Sequence, residues 1–413
     1  MNQELPKLRP LSLHWVNWQG EEVLSIQDSL RLGEGYFMVP RTIAPMLAMV
    51  DGTRNSDALR TGFLLRTGIQ LDSSQVDEFI KSLDDAFLLD NQRFQGAMAK
   101  VMDNYRSGPF RPSSLAGNAY PSNGDELREA MDVYCSNANA DGGGQVLKDG
   151  GGGAKRIAGL ISPHIDYNRG WRTYAETWQP AQKAVEDAEL IIILGTDHSG
   201  SPGRLTLTRQ DYATPWGQLP TDTSLVDGLV EILGEDGAFK EEVHHIGEHS
   251  VELASVWLHY FAGGKPKRML PILCGVDENL VEKGAETNGV LQQALSFLAD
   301  VVAEQNTLVV AAGDLSHVGP AFSDSIPLDL AGKARIRTSD EEWLEVACTG
   351  SSERLAEHMR SKGDATRICG ASPIRYMLAI LPETRGEAVA YDQCPADEQF
   401  GSLVSIAGVL FTE

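Results

Sequence analysis

Apolar and polar positions follow two different patterns along this chain, and the change falls near residue 105. Before that point short apolar stretches alternate with helical stripes whose apolar residues recur every three or four positions. The predicted elements are strands at 11–18 and 22–27, helices at 43–50, after Ser56 and after Asp72, and a closing strand at 87–89. Asp72 and Gln75 have the spacing of a capping box. We therefore predict a small domain over residues 1–105.

Beyond residue 155 apolar strand-like runs alternate regularly with helical patterns. Strands are predicted at 157–162, 190–195, 269–274, 308–312 and 403–411, and the main helices at 174–184, 222–233, 248–261 and up to about residue 304. This order predicts an α/β sandwich on a central mixed sheet over residues 106–413. The two glycine clusters in 136–155 predict a mobile loop inside this second domain.

The amino-acid composition limits the classes of protein to which this chain can belong. The chain has 413 residues and is 42% hydrophobic, which is ample for two buried cores. A formal charge of −23 argues against nucleic-acid binding. Since the chain shows neither an apolar run of membrane-spanning length nor a signal-peptide pattern, we expect a cytoplasmic protein. Five scattered cysteines without a CxxC pair indicate reduced thiols rather than disulfides or a zinc ribbon.

Three of the predicted strands end in short polar tails that carry histidine or aspartate. His164 follows the first strand, His198 the second, and Asp314 and His317 follow the strand at 308–312. In an α/β sheet ligands bind at the carboxyl ends of the strands, so these tails could meet in one crevice. Cys369 stands just before a predicted helix with Ser372 as cap and Pro373 at its first position, where a helix N-terminus favours the thiolate.

Two histidines make an incomplete metal site, and the residues leave the third ligand open among Cys369, Asp314 and Glu248. Helical spacing predicts that Glu248 and Glu252 share one face with His249 beside them, where they could orient ligands or move protons, or simply complement the helix dipole. Asp314 could orient His317 as a general acid–base. Alternatively Asp314 caps a turn, and the ring of His317 packs on Phe322.

Residues 51–91 resemble the PqqD-like family, whose small winged-helix domains serve as peptide-binding modules in radical-SAM systems. The resemblance implies a winged-helix domain over residues 1–105 and a possible peptide ligand there. A purely structural or dimerisation role would produce the same hydrophobic spacing.

Residues 107–413 resemble the Memo family, called AmmeMemoRadiSam system protein B in bacteria. Seven motifs occur in order over about 300 residues: AGNAYP (116–121), PHIDYNRG (163–170), ILGTDHSG (193–200), TPWG (214–217), EHSVE (248–252), GDLSHVG (313–319) and ICGASPI (368–374). The family is similar in fold to class III extradiol dioxygenases, which hold non-haem iron with two histidines and a third ligand.

The resemblance implies a metal site of His164, His198 and Cys369, with Asp314, His317 and His249 as candidate catalytic residues in the same pocket. Iron(II) is the expected ion, with copper or zinc as alternatives, and a radical-SAM protein and an AMMECR-like protein are the expected partners. Cysteine stands where the dioxygenases have glutamate. This difference weakens the expectation of ring cleavage, because a thiolate changes the charge of the iron and is itself oxidisable.

Three functions remain open from the sequence. The first is a non-haem iron redox enzyme that acts with a radical-SAM partner. The second is a peptide-binding adaptor without catalysis, which would account for the N-terminal domain. The third is a zinc hydrolase in which Glu248 or His317 acts as base toward a metal-bound water.

Overall fold

The computed structural model describes residues 4–9, 11–27, 32, 37–140, 156–281 and 289–413. The chain forms two compact units, Met1–Ser107 and Gly108–Glu413. Their division falls after Ser107, whereas the sequence places it after residue 105. Most of the glycine-rich stretch at 136–155 lies outside the described residues, and its first five residues complete a helix.

The first unit contains a three-stranded antiparallel sheet and helices. Its elements are β1 (Ser12–Trp18), β2 (Glu21–Gln27), β3 (Phe37–Pro40), a 3₁₀ segment (Ala44–Met49), α1 (Ser56–Thr67), α2 (Ser73–Asp85) and α3 (Gln92–Ser107). The predicted capping box of Asp72 and Gln75 is present at the start of α2. The predicted closing strand is wrong: Leu89 makes only an isolated bridge to Leu8, and Phe87 has a left-handed backbone (φ 58°) that interrupts an extended chain.

The second unit alternates strands and helices as the sequence predicts. Its strands are β4 (Ile157–Ser162), β5 (Leu190–Thr196), β6 (Leu205–Leu207), β7 (Tyr212–Thr214), β8 (Gly217–Leu219), β9 (Met269–Cys274), β10 (Thr307–Ala312), β11 (His317–Val318), β12 (Arg385–Pro395) and β13 (Leu403–Thr412). Its helices are α4 (Gly124–Ala140), α5 (Tyr167–Asp187), α6 (Thr223–Leu233), α7 (Glu235–Phe239), α8 (His244–Gly247), α9 (Ser250–Phe261), α10 (Glu278–Val281), α11 (Gly289–Glu304), α12 (Leu330–Ala347), α13 (Ser352–Lys362) and α14 (Ala371–Ile380), with a 3₁₀ turn at Pro320–Phe322.

A mixed sheet forms the centre of this unit. Within the described ranges the strand order is β11-β13-β4-β10-β5-β9-β6, and β12 pairs with β13. Neighbours among β4, β10, β5 and β9 run parallel, while β13 and β6 are antiparallel to the strands beside them. Alternate residues of the strands enter two separate hydrophobic cores, so helices cover both faces. The central mixed sheet expected from the sequence is therefore present.

The fold bears on two sequence-based expectations, the state of the cysteines and the presence of membrane-spanning segments. All five cysteines are free thiols, as the sequence indicates. In the described part of the chain, none of the helices combines the length and apolarity needed to cross a membrane.

Candidate metal centre

Three side chains stand at the same offset beyond three adjacent parallel strands. His164, His198 and Asp314 each lie two residues past the last residue of β4, β5 and β10, respectively. Because β10 lies between β4 and β5, the three tails meet at one edge of the sheet. The convergence expected from the sequence is thus present, and we call the group of side chains that meet there the pocket.

The pocket brings together three imidazoles and one thiol. The ring centroids of His164 and His198 are 5.0 Å apart, and the ring of His249 lies 4.9 Å from each of them. One potential ligand nitrogen from each ring lies within 4.8 Å of the other two. Cys369 Sγ is 3.2 Å from Nε2 of His164. These four residues come from four separate segments of the chain.

The contacts at Nδ1 of each ring determine which nitrogen is left free for a ligand. Nδ1 of His164 is 3.2 Å from the carbonyl oxygen of Ala312. Nδ1 of His198 is 3.0 Å from Oε2 of Glu248, and Nδ1 of His249 is 3.0 Å from Oε1 of the same carboxylate. When Nδ1 donates, a neutral imidazole carries its lone pair on Nε2. This is the tautomer that a metal-binding imidazole uses when a carbonyl or carboxylate holds its other nitrogen.

Glu248 orients ligands in this structure. Besides the two rings, its carboxylate accepts hydrogen bonds from the backbone N–H groups of His198, His249 and Ser250 at 3.1, 2.7 and 3.1 Å. Burial would raise the pKa of Glu248, but the two imidazoles hold it well below its ordinary value. The carboxylate is therefore ionised and fully engaged as an acceptor.

Glu252 does not share a face with Glu248, contrary to the helical spacing inferred from the sequence. Helix α9 begins only at Ser250, so Glu248 precedes it. The side chain of Glu252 instead forms a buried ion pair with Arg111 and accepts a 2.5 Å hydrogen bond from the hydroxyl of Tyr120. Tyr120 belongs to the AGNAYP motif, so that motif contributes to the support of the pocket.

Asp314 and His317 occupy separate environments. Oδ1 of Asp314 accepts a 2.8 Å hydrogen bond from the backbone N–H of His164, and burial raises the pKa of this carboxyl group. Nδ1 of His317 lies 3.0 Å from the carbonyl oxygen of Leu315 and 3.2 Å from that of Arg367. Backbone carbonyl groups therefore orient His317, and not the carboxylate of Asp314 that the sequence suggests for this role. The ring also packs edge-on against Phe322, with centroids 5.1 Å apart.

Two glycines let the segment of Cys369 approach the strand ends. A Cβ atom on Gly313 would lie 2.3 Å from Cα of Gly370, and one on Gly370 would lie 2.9 Å from the carbonyl oxygen of Asp314. Backbone contact at this distance excludes any side chain. The hydroxyl of Thr196, at the end of β5, also holds this segment by donating a 3.0 Å hydrogen bond to the carbonyl oxygen of Cys369.

The helix after Cys369 begins at Ala371 with Gly370 as its N-cap, so Ser372 is not the cap that the sequence suggests. The hydroxyl of Ser372 accepts a hydrogen bond from the backbone N–H of Asp277 at 2.8 Å. Burial raises the pKa of the Cys369 thiol, although His198 opposes this. The helix effect expected from the sequence is outweighed because burial penalises the thiolate, and a bound cation would reverse that balance.

The three imidazoles of the pocket differ in their exposure to solvent. The side chain of His164 is 2% exposed, whereas those of His198 and His249 are 38% and 39% exposed. Burial and the two neighbouring imidazoles lower the pKa of His164 well below its ordinary value, so this ring is neutral. Burial would also lower the pKa of His198, but Glu248 and Cys369 raise it well above the ordinary value.

Sequence reasoning missed two features near the pocket. Arg111 donates hydrogen bonds to the carbonyl oxygens of His245 at 2.7 Å and Glu248 at 3.0 Å, across more than a hundred residues of chain. A second group of close donors, Asp197, Glu241 and His244, adjoins the pocket, with Nδ1 of His244 2.9 Å from Oδ2 of Asp197. The adjacency of Asp197 to His198 is the one sequence signal that could have drawn attention to this group.

Comparison with known proteins gives a consistent family. A model of the family described as Memo-like protein matches residues 111–410. A MEMO1 family protein of Aquifex aeolicus is 24% identical over 394 residues, covering 94% of this chain and 95% of that protein. A MEMO1 family protein of Thermus thermophilus is 25% identical over 332 residues, covering 79% of this chain and 90% of that protein. Another MEMO1 family protein of Aquifex aeolicus is 28% identical over 306 residues, covering 73% of this chain and 98% of that protein.

Proposed function

This chain belongs to the Memo-like protein family, and on that premise we propose that its pocket binds a transition-metal ion, redox-active iron(II) foremost, with copper or zinc as alternatives. The observation that carries the proposal is the set of imidazoles whose Nδ1 atoms are engaged, together with Nε2 of His164 at 3.2 Å from the sulfur of Cys369. Nitrogen and sulfur donors of this kind suit iron, copper and zinc.

The residues fit such an ion by their chemistry. His164, His198 and Cys369 would hold it, as the family resemblance implies. The 3.2 Å between Sγ of Cys369 and Nε2 of His164 is near the separation of about 3.5 Å between two ligands in a tetrahedral site with one sulfur and one nitrogen. Bound iron(II) would supply one-electron and dioxygen chemistry, which side chains alone do not provide.

The remaining residues of the pocket hold or move protons. Burial lowers the pKa of His317 despite the nearby Asp314, so the ring is neutral at pH 7 and can accept a proton at Nε2. Asp314 fixes the backbone of His164, and Glu248 fixes the rings of His198 and His249. We assign the protein to the non-haem iron oxidoreductases related to class III extradiol dioxygenases, with a radical-SAM protein and an AMMECR-like protein as its partners.

The zinc hydrolase is the less favoured enzyme. Glu248 is a poor candidate for its base, because both oxygens are engaged and its pKa lies well below the ordinary value. His317 would be the base in that case.

A peptide ligand for the first unit is a second, separate candidate function. Phe87, Arg93, Gly96, Ala97, Lys100 and Val101 help to line a groove of about 600 Å³ in this unit. The cationic Lys100 beside apolar side chains would suit an acidic peptide with hydrophobic anchors, whereas Arg93 is already paired with Asp85. If this were the whole activity, the protein would be an adaptor.

Anaerobic purification of the full chain, followed by elemental analysis, distinguishes the three functions. About one iron per chain supports the redox enzyme, zinc supports the hydrolase, and no metal supports the adaptor. The matched control is a His164→Ala/His198→Ala double variant purified in parallel, which should lose the metal. If it retains the same metal content as the wild type, the ion is bound elsewhere and the proposal is wrong.

A further inference from the structure

We propose that His249 is a third imidazole ligand, so that the pocket offers a metal ion three ring nitrogens and the sulfur of Cys369. This inference rests on the proposed function, that the pocket binds a metal. It changes the donor set from two nitrogens and one sulfur to three nitrogens and one sulfur, and it moves His249 from the candidate catalytic residues to the ligands.

The spacing of the three rings carries the first step. His249 lies as close to His164 and to His198 as these two lie to each other, with centroid distances of 4.9, 4.9 and 5.0 Å. The ligand nitrogens lie within 4.8 Å of one another. Bonds of about 2.0–2.1 Å to one tetrahedral ion require nitrogens about 3.3 Å apart. Side-chain rotations that bring the rings together by at most about 1.5 Å would therefore complete the set.

The second step rests on Glu248, because its carboxylate lies equally close to Nδ1 of His198 and Nδ1 of His249. Each of its two carboxylate oxygens lies 3.0 Å from Nδ1 of one of these rings. A carboxylate that accepts from Nδ1 is the usual outer partner of a ligating histidine, since it fixes the ring and strengthens the lone pair at Nε2. If this contact prepares His198 as a ligand, the 3.0 Å ion-pair contact of Nδ1 of His249 with the same carboxylate prepares His249.

The backbone around Glu248 makes the third step, since it holds this arrangement in place. The carboxylate also accepts from the backbone N–H groups of His249 and Ser250, and so caps the first turn of α9. Arg111 donates a 3.0 Å hydrogen bond to the carbonyl oxygen of Glu248. A pre-organised ligand loses little freedom when an ion binds, which favours affinity.

His317 provides the contrast within the same pocket. Its Nδ1 is also engaged, by the carbonyl oxygens of Leu315 and Arg367. Among the described residues, however, the three imidazoles whose ring nitrogens lie within 4.8 Å of one another are those of His164, His198 and His249, and His317 is not one of them. His317→Ala is therefore the matched control for His249→Ala, because both remove one imidazole that influences His164.

Cobalt(II) is the probe, because its visible absorption reports both the number of ligands and a sulfur–metal bond. We would titrate metal-free full-length protein with Co²⁺ under anaerobic conditions. The wild type should show the strong visible bands of a four-coordinate ion and a thiolate charge-transfer band. His249→Ala should weaken Co²⁺ binding about 100-fold or more, since loss of an outer partner alone costs 10–100-fold. His317→Ala should keep the spectrum and bind within about threefold of the wild type.

Two further measurements separate a ligand role from a folding defect. Added imidazole should enter the space left in His249→Ala and restore the wild-type spectrum, which it would not do for a misfolded protein. X-ray absorption of the Co²⁺-loaded wild type should fit three imidazoles and one sulfur. Two imidazoles in that fit, or an unchanged affinity and spectrum in His249→Ala, would overturn the assignment of His249. Failure of the wild type to bind Co²⁺, iron or zinc would instead overturn the proposed function.

Discussion

Arg111 and Glu252 form an ion pair in which the side chains are 0% and 1% exposed to solvent. Arg111 lies near the start of the second unit, and Glu252 lies in α9. The guanidinium also donates hydrogen bonds to the carbonyl oxygens of His245 and Glu248. The buried guanidinium of Arg111 therefore links the first residues of this unit to residues 245–248, which directly precede His249 of the pocket.

Removing one partner of this pair should destabilise the second unit strongly. Arg111→Met leaves the carboxylate of Glu252 buried without its cation, which costs about 3–5 kcal/mol in the free energy of unfolding. Urea denaturation monitored by tryptophan fluorescence would measure the loss. The control is Lys183→Met, which removes an ion pair with Asp187 whose side chains are 80% and 51% exposed. That change should cost no more than about 0.5 kcal/mol, and equal losses in the two variants would contradict the prediction.

The sequence predicts the elements whose pattern is local. The strands at 269–274 and 403–411 are confirmed because they are almost entirely apolar runs buried on both faces. His164 and His198 stand out in the sequence because polar residues directly follow such runs. Strand β12 was missed because most of its residues are exposed or half-buried, which leaves no apolar alternation.

Other parts of the pocket could not be predicted, because their contacts join distant segments. Glu248 holds His198 from 50 residues away, and Arg111 reaches Glu252 across 141 residues. Neither pairing leaves a periodic signal in the sequence. The pKa of Cys369 was expected to fall because of the helix N-terminus, but it rises because of burial, which only the folded structure reveals.

Acid should destabilise the second unit through His245. Its ring accepts from the hydroxyl of Tyr212 and approaches the carbonyl oxygen of Thr206, and burial lowers its pKa to about 3. Between this value and the ordinary pKa of about 6.5 the unfolded chain binds the extra proton, so stability falls as pH falls. From pH 7 to pH 4.5 the loss from this group should be roughly 2–3 kcal/mol.

Urea midpoints at pH 7 and pH 4.5 would measure this dependence in the wild type and in His245→Gln. The variant should be less stable at pH 7 but should lose less stability on acidification. Exposed His14 offers the control, and His14→Gln should change neither midpoint. If His245→Gln shows the full acid sensitivity of the wild type, buried His245 is not a source of it.

The second unit should fold and bind metal alone. Each unit has its own hydrophobic core, and the residues of the two cores around the mixed sheet all lie beyond Ser107. A protein of residues 108–413 should therefore unfold cooperatively and retain the metal content of the full chain. Circular dichroism and elemental analysis would test this. Loss of both solubility and metal would show that the first unit is part of the same folding unit.

Replacing His317 should separate catalysis from metal binding. Its ring is held by backbone carbonyls and is not one of the three mutually close imidazoles, so His317→Ala should retain metal content near that of the wild type. Turnover should fall about 10²–10⁴-fold once an assay exists, if Nε2 accepts a proton in the reaction. Elemental analysis can be done now, and loss of the metal would make His317 a ligand.

Cys369→Ser should remove most of the bound metal. Sγ of Cys369 lies 3.2 Å from Nε2 of His164, and a serine hydroxyl at the same place is a far weaker ligand for a first-row transition ion than a thiolate. Cys135→Ser is the control, because this half-buried thiol lies on α4, where the backbone carbonyl of Cys135 accepts a hydrogen bond from Gln179. Anaerobic elemental analysis of the two variants should show metal near wild-type content only in Cys135→Ser. If Cys369→Ser keeps full occupancy, the cysteine is a bystander, and Asp314 becomes the better candidate because both oxygens of Glu248 are already engaged by imidazoles.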